Sequence, residues 1–151
     1  MKKLVGILII LFSVIPIKLC AETLPAIAVE ALFAEKKAAI KDSLKLTEKQ
    51  SEAFWQLYDA YEKTEINIFN RRVAHIKEYL QEYDNLSNEE AKSMMKDYLQ
   101  IEGDALKLKR ALVKKFSEKL PPKIVFQFLV LEELLEAGFI GQIAENLPEI
   151  E

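Results

Sequence analysis

The chain contains few of the residues on which most enzyme sites depend. Its 151 residues include one cysteine, Cys20, one histidine, His75, and four glycines. Four scattered glycines form no phosphate-cradling loop, and a His-centred nucleophile system would depend wholly on His75. A transition-metal site would need several His or Cys ligands, although carboxylate sites for hard cations stay open. We therefore expect a protein that is not an enzyme, without a cofactor or a small-molecule substrate.

Residues 1–21 have the pattern of a secretory signal peptide. Lys2 and Lys3 precede the apolar run 4–17, which is shorter than a membrane-spanning helix requires. Leu19-Cys20-Ala21 then offers a signal-peptidase site before Glu22. We expect export through a cleaved signal. A lipid anchor on Cys20 is the alternative, which the bulky Leu19 disfavours.

Residues 22–151 have the length of a single domain. Loss of Lys2, Lys3 and Lys18 with the signal leaves 18 basic residues against 24 acidic residues, a net charge of −6. This acidic balance argues against a general nucleic-acid binder. Cys20 is lost as well, so the stability of the domain must come from packing and not from a disulfide.

Two capping boxes predict the starts of two helices. In Leu46-Thr47-Glu48-Lys49-Gln50, Thr47 can accept from the Gln50 amide, and the Gln50 side chain can reach back to the Thr47 amide. Leu86-Ser87-Asn88-Glu89-Glu90 repeats this chemistry with Ser87 and Glu90.

The spacing of the apolar residues predicts an all-α domain of four helices, two of which begin at these capping boxes. The first helix is expected from about Ala26 to Asp42, the second from the Thr47 box to about Tyr83, and the third from the Ser87 box to Pro121-Pro122. A short turn between the second and third helices requires a long antiparallel helical hairpin. Its seam is formed by Ile66, Phe69, Val73, Ile76, Leu80 and Tyr83 against Ala91, Met94, Tyr98, Ile101, Ala105, Leu108, Leu112 and Phe116.

The fourth helix is expected to follow Pro122 and to be the most buried of the four. The run 124–131 has one polar residue in eight, which fits a buried strand as well as a buried helix. The absence of a partner strand in the sequence and the continuation through Glu132-Glu133-Leu134 favour a helix. Gly138 and Gly141 are expected to bend or end it before Leu147-Pro148.

Three groups of residues are candidates for contact with a client or a partner protein, and each has a structural alternative. Aromatic residues one turn apart could form an exposed ledge or part of the core. Adjacent methionines could form an adaptable surface or fill the core. Basic residues near the end of the third helix could bind an acidic partner or complement the helix dipole. The candidates are Trp55, Tyr58 and Tyr61; Met94 and Met95; and Lys107, Arg110 and Lys114.

The two boxes resemble the LTxxQ motifs of the Spy/CpxP family of exported all-helical proteins. The F-W-x-x-Y-x-x-Y pattern of residues 54–61 is similar to one branch of that family. Leu120-Pro121, Lys123, Val125, Glu132 and Leu147-Pro148 match the same branch, whereas Val130 stands where the branch has Gln.

The resemblance implies a Spy/CpxP-like fold and a periplasmic chaperone that holds unfolded proteins without ATP. The alternative is a regulatory adaptor that binds the outer domain of an envelope-stress signalling protein in the membrane. Because so thin a domain cannot easily bury a helix as apolar as 124–131, we also expect a homodimer.

Overall fold

The computed structural model describes residues 26–144, with side-chain exposure for residues 29–141. Four α-helices follow one another: α1 (Ala26–Ser43), α2 (Glu48–Glu82), α3 (Asn88–Ser117) and α4 (Pro122–Ala144), with a 3₁₀ turn at Tyr83–Asn85. The described residues contain no strand, and the expected all-α class with a long α2–α3 hairpin is confirmed. The signal peptide, Cys20 and Leu147-Pro148 lie outside the described residues.

Both capping boxes form as the sequence predicts. The Gln50 amide donates to Thr47 Oγ1 at 3.4 Å, and the Thr47 amide donates to Gln50 Oε1 at 3.0 Å. At the start of α3, the Ser87 amide donates to Glu90 Oε2 at 2.9 Å, and the Glu90 amide donates to Ser87 Oγ at 3.3 Å. Each box satisfies amides that the first turn of a helix leaves without partners.

The α2–α3 hairpin is the longest part of the molecule. The 35 residues of α2 span about 50 Å at 1.5 Å per residue. Across the hairpin, Arg71 donates to Asp104 Oδ2 at 2.7 Å. Arg72 donates to both carboxylate oxygens of Glu102, at 2.8 and 3.0 Å. Such bidentate contacts fix the register of two helices as well as their separation.

The main core lies at the end of the hairpin far from the 3₁₀ turn, where all four helices meet. Phe54 of α2 packs edge to face against Phe116 of α3 and Phe128 of α4, with ring centroids 5.3 and 5.0 Å apart. Ile40 of α1 belongs to the same buried cluster. Toward the 3₁₀ turn the seam is more open, and the predicted seam residues Tyr83 and Tyr98 are exposed.

The prediction that α4 is the most buried helix is wrong. Val125, Phe128 and Glu132 are buried, but Phe126, Val130 and Leu134 are exposed. The reason is geometric, because a helix that contacts the body on one side buries one stripe even when it is apolar all round. Gly138 and Gly141 do not end α4, which continues through both glycines to Ala144.

Among the described residues, no helix combines the length and the apolar character that crossing a membrane requires.

Candidate functional site

The aromatic candidates Tyr58 and Tyr61 lie inside the protein. Both are buried, and their rings contact Phe128 of α4 at centroid distances of 5.9 and 6.2 Å. Burial, together with nearby carboxylates, raises the pKa of each phenol. The alternative in which Tyr58 and Tyr61 form an exposed ledge is therefore wrong for both residues. Trp55 is partly buried at the edge of the core, where the Lys37 ammonium lies 5.8 Å from its ring centroid.

The methionine candidates lie beside an open groove near the 3₁₀ turn, which we call the hairpin-tip groove. Met94 is partly buried and Met95 is exposed. The groove has a volume of about 350 Å³, near the lower end of the range for ligand pockets, which begins at about 300 Å³. Its lining comes from α2, α3 and the connection between them: His75, Ile76, Tyr79, Leu86, Ala91, Met94, Met95 and Tyr98.

The basic candidates form a row along the outside of α3. Lys107, Arg110 and Lys114 are all exposed and are separated by three and four residues, so they lie on one side of the helix. None of the three makes an ion pair with the residues that the structure describes. This basic row is available to an acidic group of a partner.

Exposed apolar side chains border the basic row, and the sequence analysis did not select them. Leu99, Leu106 and Val113 are exposed and recur every seven residues, so they form one stripe, the α3 stripe. Arg110 is four residues after Leu106 and three before Val113, which places it beside the stripe. The seven-residue spacing of Leu99, Leu106 and Val113 was the signal in the sequence that could have revealed the α3 stripe.

A second exposed stripe runs along α4. Phe126, Val130 and Leu134 recur every four residues, and we call them the α4 stripe. The two stripes flank one ion pair, in which Lys109 of α3 donates to Glu133 of α4 at 3.1 Å. On α3, Leu106 and Val113 lie three and four residues from Lys109; on α4, Val130 lies three residues from Glu133. The surface around this ion pair is therefore a mixture of apolar and charged groups.

The structure also contains a buried ion cluster that the sequence analysis did not predict. Lys36 of α1 donates to Glu132 Oε2 of α4 at 2.6 Å and also contacts the carboxylate of Glu65 of α2. Tyr61 donates to Glu132 Oε2 at 3.3 Å. The side chains of Lys36 and Glu132 are each only 2% exposed. Burial, reinforced by the negative charge of Glu132, raises the pKa of Glu65 to about 7 despite the opposing effect of Lys36.

A second set of charges joins α2, α3 and α4 nearer the surface. Arg72 contacts the carboxylates of Glu102 and Glu136, and Lys109 donates to Glu136 Oε2 at 3.2 Å. The two cations lower the pKa of Glu136 even though its partial burial acts in the opposite direction. These ion pairs connect α4 to both helices of the hairpin.

The described residues contain no group of three or more His, Cys, Asp and Glu side chains arranged to hold a metal ion. No protein-family model, curated protein sequence or solved structure matches the chain.

Proposed function

We propose that the protein is an exported, ATP-independent chaperone-like binding protein related to the Spy/CpxP family, which holds unfolded or misfolded envelope proteins. The observation that carries this proposal is the α3 stripe beside the basic row. Exposed apolar side chains bordered by polar residues mark interaction surfaces in soluble proteins. An unfolded chain offers both apolar side chains and carboxylates, so a surface with both features can bind many sequences without one fixed motif.

The two stripes are assigned different partners in this proposal. The α3 stripe, which has the basic row beside it, holds the client. The α4 stripe is the contact between two copies of the chain, since it lies on the most apolar helix. A homodimer formed in this way would cover Phe126, Val130 and Leu134 and leave the basic row open.

The proposal is tested by light scattering of an aggregating client at equimolar protein without nucleotide. We expect slower aggregation with the unmodified protein and loss of that effect in the double variant Leu99→Ser and Leu106→Ser. The matched control is Leu134→Ser, which changes an equally exposed leucine on α4 and should leave client holding intact. Equal loss in the control would show that client holding does not depend specifically on the α3 stripe.

The contribution of charge is tested separately with Lys107→Gln, Arg110→Gln and Lys114→Gln combined. Removal of these charges should slow client capture, and added salt should slow capture by the unmodified protein, because salt screens exposed charges. The triple variant should lose most of this salt dependence. Absence of any suppression, together with specific binding of one folded partner, would instead support the regulatory adaptor.

A further inference from the structure

Lys36 lies at the centre of the face by which α1 attaches to the rest of the protein. The buried residues of α1 are Val29, Phe33, Lys36 and Ile40, which recur at steps of four, three and four along one side of the helix. Three of them are apolar, and Phe33 packs edge to face against Phe69 of α2 with ring centroids 5.7 Å apart. Attachment of α1 therefore buries an ammonium group together with the apolar side chains.

The charges that meet at this ammonium group do not balance. One Lys36 cation faces the carboxyl groups of Glu65 and Glu132, so full ionisation leaves one excess negative charge in a buried site. A buried charge without a partner is costly. One proton on Glu65 removes the excess.

The cluster also lacks hydrogen-bond donors. Glu65 Oε2 and Glu132 Oε1 are buried and have no donor among the described residues. An ionised carboxylate only accepts hydrogen bonds, whereas a protonated carboxyl group also donates one. A proton on one of the two groups would therefore supply a donor as well as neutralise the charge.

The neighbouring charged groups do not provide the missing positive charge. Lys37 of α1 is engaged at the surface by Asp59 and Glu62 of α2. Arg72 and Lys109 are engaged by the three carboxylates of Glu102, Glu133 and Glu136. The other groups that act on the cluster or its tyrosines are neutral or negative: Tyr58, Tyr61 and Glu62 of α2, and Glu136 of α4.

We propose that Lys36, Glu65 and Glu132 form a proton-operated latch, which holds α1 on α2 and α4 while Glu65 is protonated and weakens that attachment when Glu65 is ionised. The raised pKa of Glu65, about 7, puts the change near neutral pH. Detachment of α1 would uncover Phe33, Phe69 and the wall of a neighbouring cavity of about 70 Å³. The latch does not depend on the proposed client binding.

Hydrogen exchange of the full-length protein, followed by mass spectrometry, tests the latch at about pH 5.5 and about pH 8.5. Protection factors corrected for the intrinsic exchange rate separate opening of α1 from the direct effect of pH. We expect α1 to be less protected than the centre of the α2–α3 hairpin. Its protection should be lower at the higher pH, because burial raises the pKa of Glu65 and the buried cluster loses stabilisation when Glu65 ionises.

Glu65→Gln is the decisive variant, since glutamine keeps the shape and a donor but cannot ionise. It should make the protection of α1 the same at both pH values. Glu62→Gln changes a partly buried glutamate on the same helix that pairs with Lys37, and it should preserve the unmodified pH dependence. If circular dichroism shows that Glu65→Gln does not fold, Glu65→Met carries the same expectation, because methionine cannot ionise and leaves Lys36 paired with Glu132. The latch is overturned if α1 opens only together with the hairpin, if its protection does not change with pH, or if the Glu65 variants keep the full change.

Discussion

Lys36 Nζ of α1 lies 2.6 Å from Glu132 Oε2 of α4, although 96 residues separate them in the chain. Both side chains are almost fully buried, and Glu65 of α2 contacts the same ammonium group. One buried cation therefore connects three of the four helices. Its removal would leave two carboxyl groups in the interior without a counter-ion.

The variant Lys36→Met should be strongly destabilised at neutral pH. Removing one partner of a buried ion pair typically costs about 3–5 kcal/mol, because the other charge remains buried. The loss should be smaller at about pH 5, where protonation of Glu65 reduces the uncompensated negative charge. Urea denaturation of this variant and of Lys37→Met measures the difference. Lys37 lies in surface pairs, so its loss should cost at most about 1 kcal/mol; equal losses would contradict the prediction.

The stability of the unmodified protein should fall as pH rises toward neutrality. The pKa of Glu65 is about 7 in the folded protein against an ordinary value of 4.5, so the folded state binds more protons between these values. The free energy of unfolding therefore decreases through this window and loses up to about 3 kcal/mol above it. Glu136 acts in the opposite direction, because its lowered pKa makes it lose its stabilising effect as pH falls.

Urea denaturation at a series of pH values measures this dependence. Glu65→Gln should remove the decrease toward neutral pH and retain the loss at low pH that Glu136 contributes. A decrease of the same size in the variant would assign the effect to another group.

Each capping box should contribute a modest and separate amount of stability. Thr47→Ala and Ser87→Ala should each lower the free energy of unfolding by about 1 kcal/mol, because each leaves an amide of the first turn without its acceptor. Thr47→Ser keeps the hydroxyl and serves as the control, measured by chemical denaturation. If Thr47→Ala keeps its stability but loses client or partner binding, the motif is a contact site and the capping interpretation fails.

The same substitution at two phenylalanines of α4 should change stability by very different amounts. Phe128 is fully buried against Phe54 and Phe116, so Phe128→Ala should cost about 3–5 kcal/mol. Phe126 is exposed, and Phe126→Ala should change the stability of the monomer by no more than about 0.5 kcal/mol. Thermal unfolding at low protein concentration compares them. Similar losses would mean that α4 is buried on both sides.

The helix starts and the hairpin could be predicted because their causes are local. Thr47 and Gln50, or Ser87 and Glu90, lie within one turn, and the seam follows from spacing along α2 and α3. The exposed side of α4 could not be predicted in this way. Phe126 and Phe128 have the same chemistry, and only the position of α4 on the body decides which of them is buried.

The buried ion cluster was missed for a related reason. Lys36 falls on the apolar face of α1, but a single lysine in an alanine-rich helix is also typical of a solvated position. Its partners come from α2 and α4, 29 and 96 residues away. In the sequence, Glu132 was a match to the Spy/CpxP pattern and part of the polar continuation of α4, and its partner Lys36 was not predicted.

The α4 stripe should be the contact between two copies of the protein. Leu134 is 67% exposed in the isolated chain, and a second copy would remove this side chain from water together with Phe126 and Val130. In a symmetric pair, Leu134→Glu would place two like charges in one apolar contact. We expect multi-angle light scattering to give the mass of a dimer for the unmodified protein and a shift toward the monomer for this variant. Leu99→Glu is the matched control, since Leu99 is 68% exposed but lies on the α3 stripe. The control should keep the dimeric mass. A monomeric mass for the unmodified protein at all concentrations would exclude this contact, and a monomeric Leu99→Glu would place it on α3.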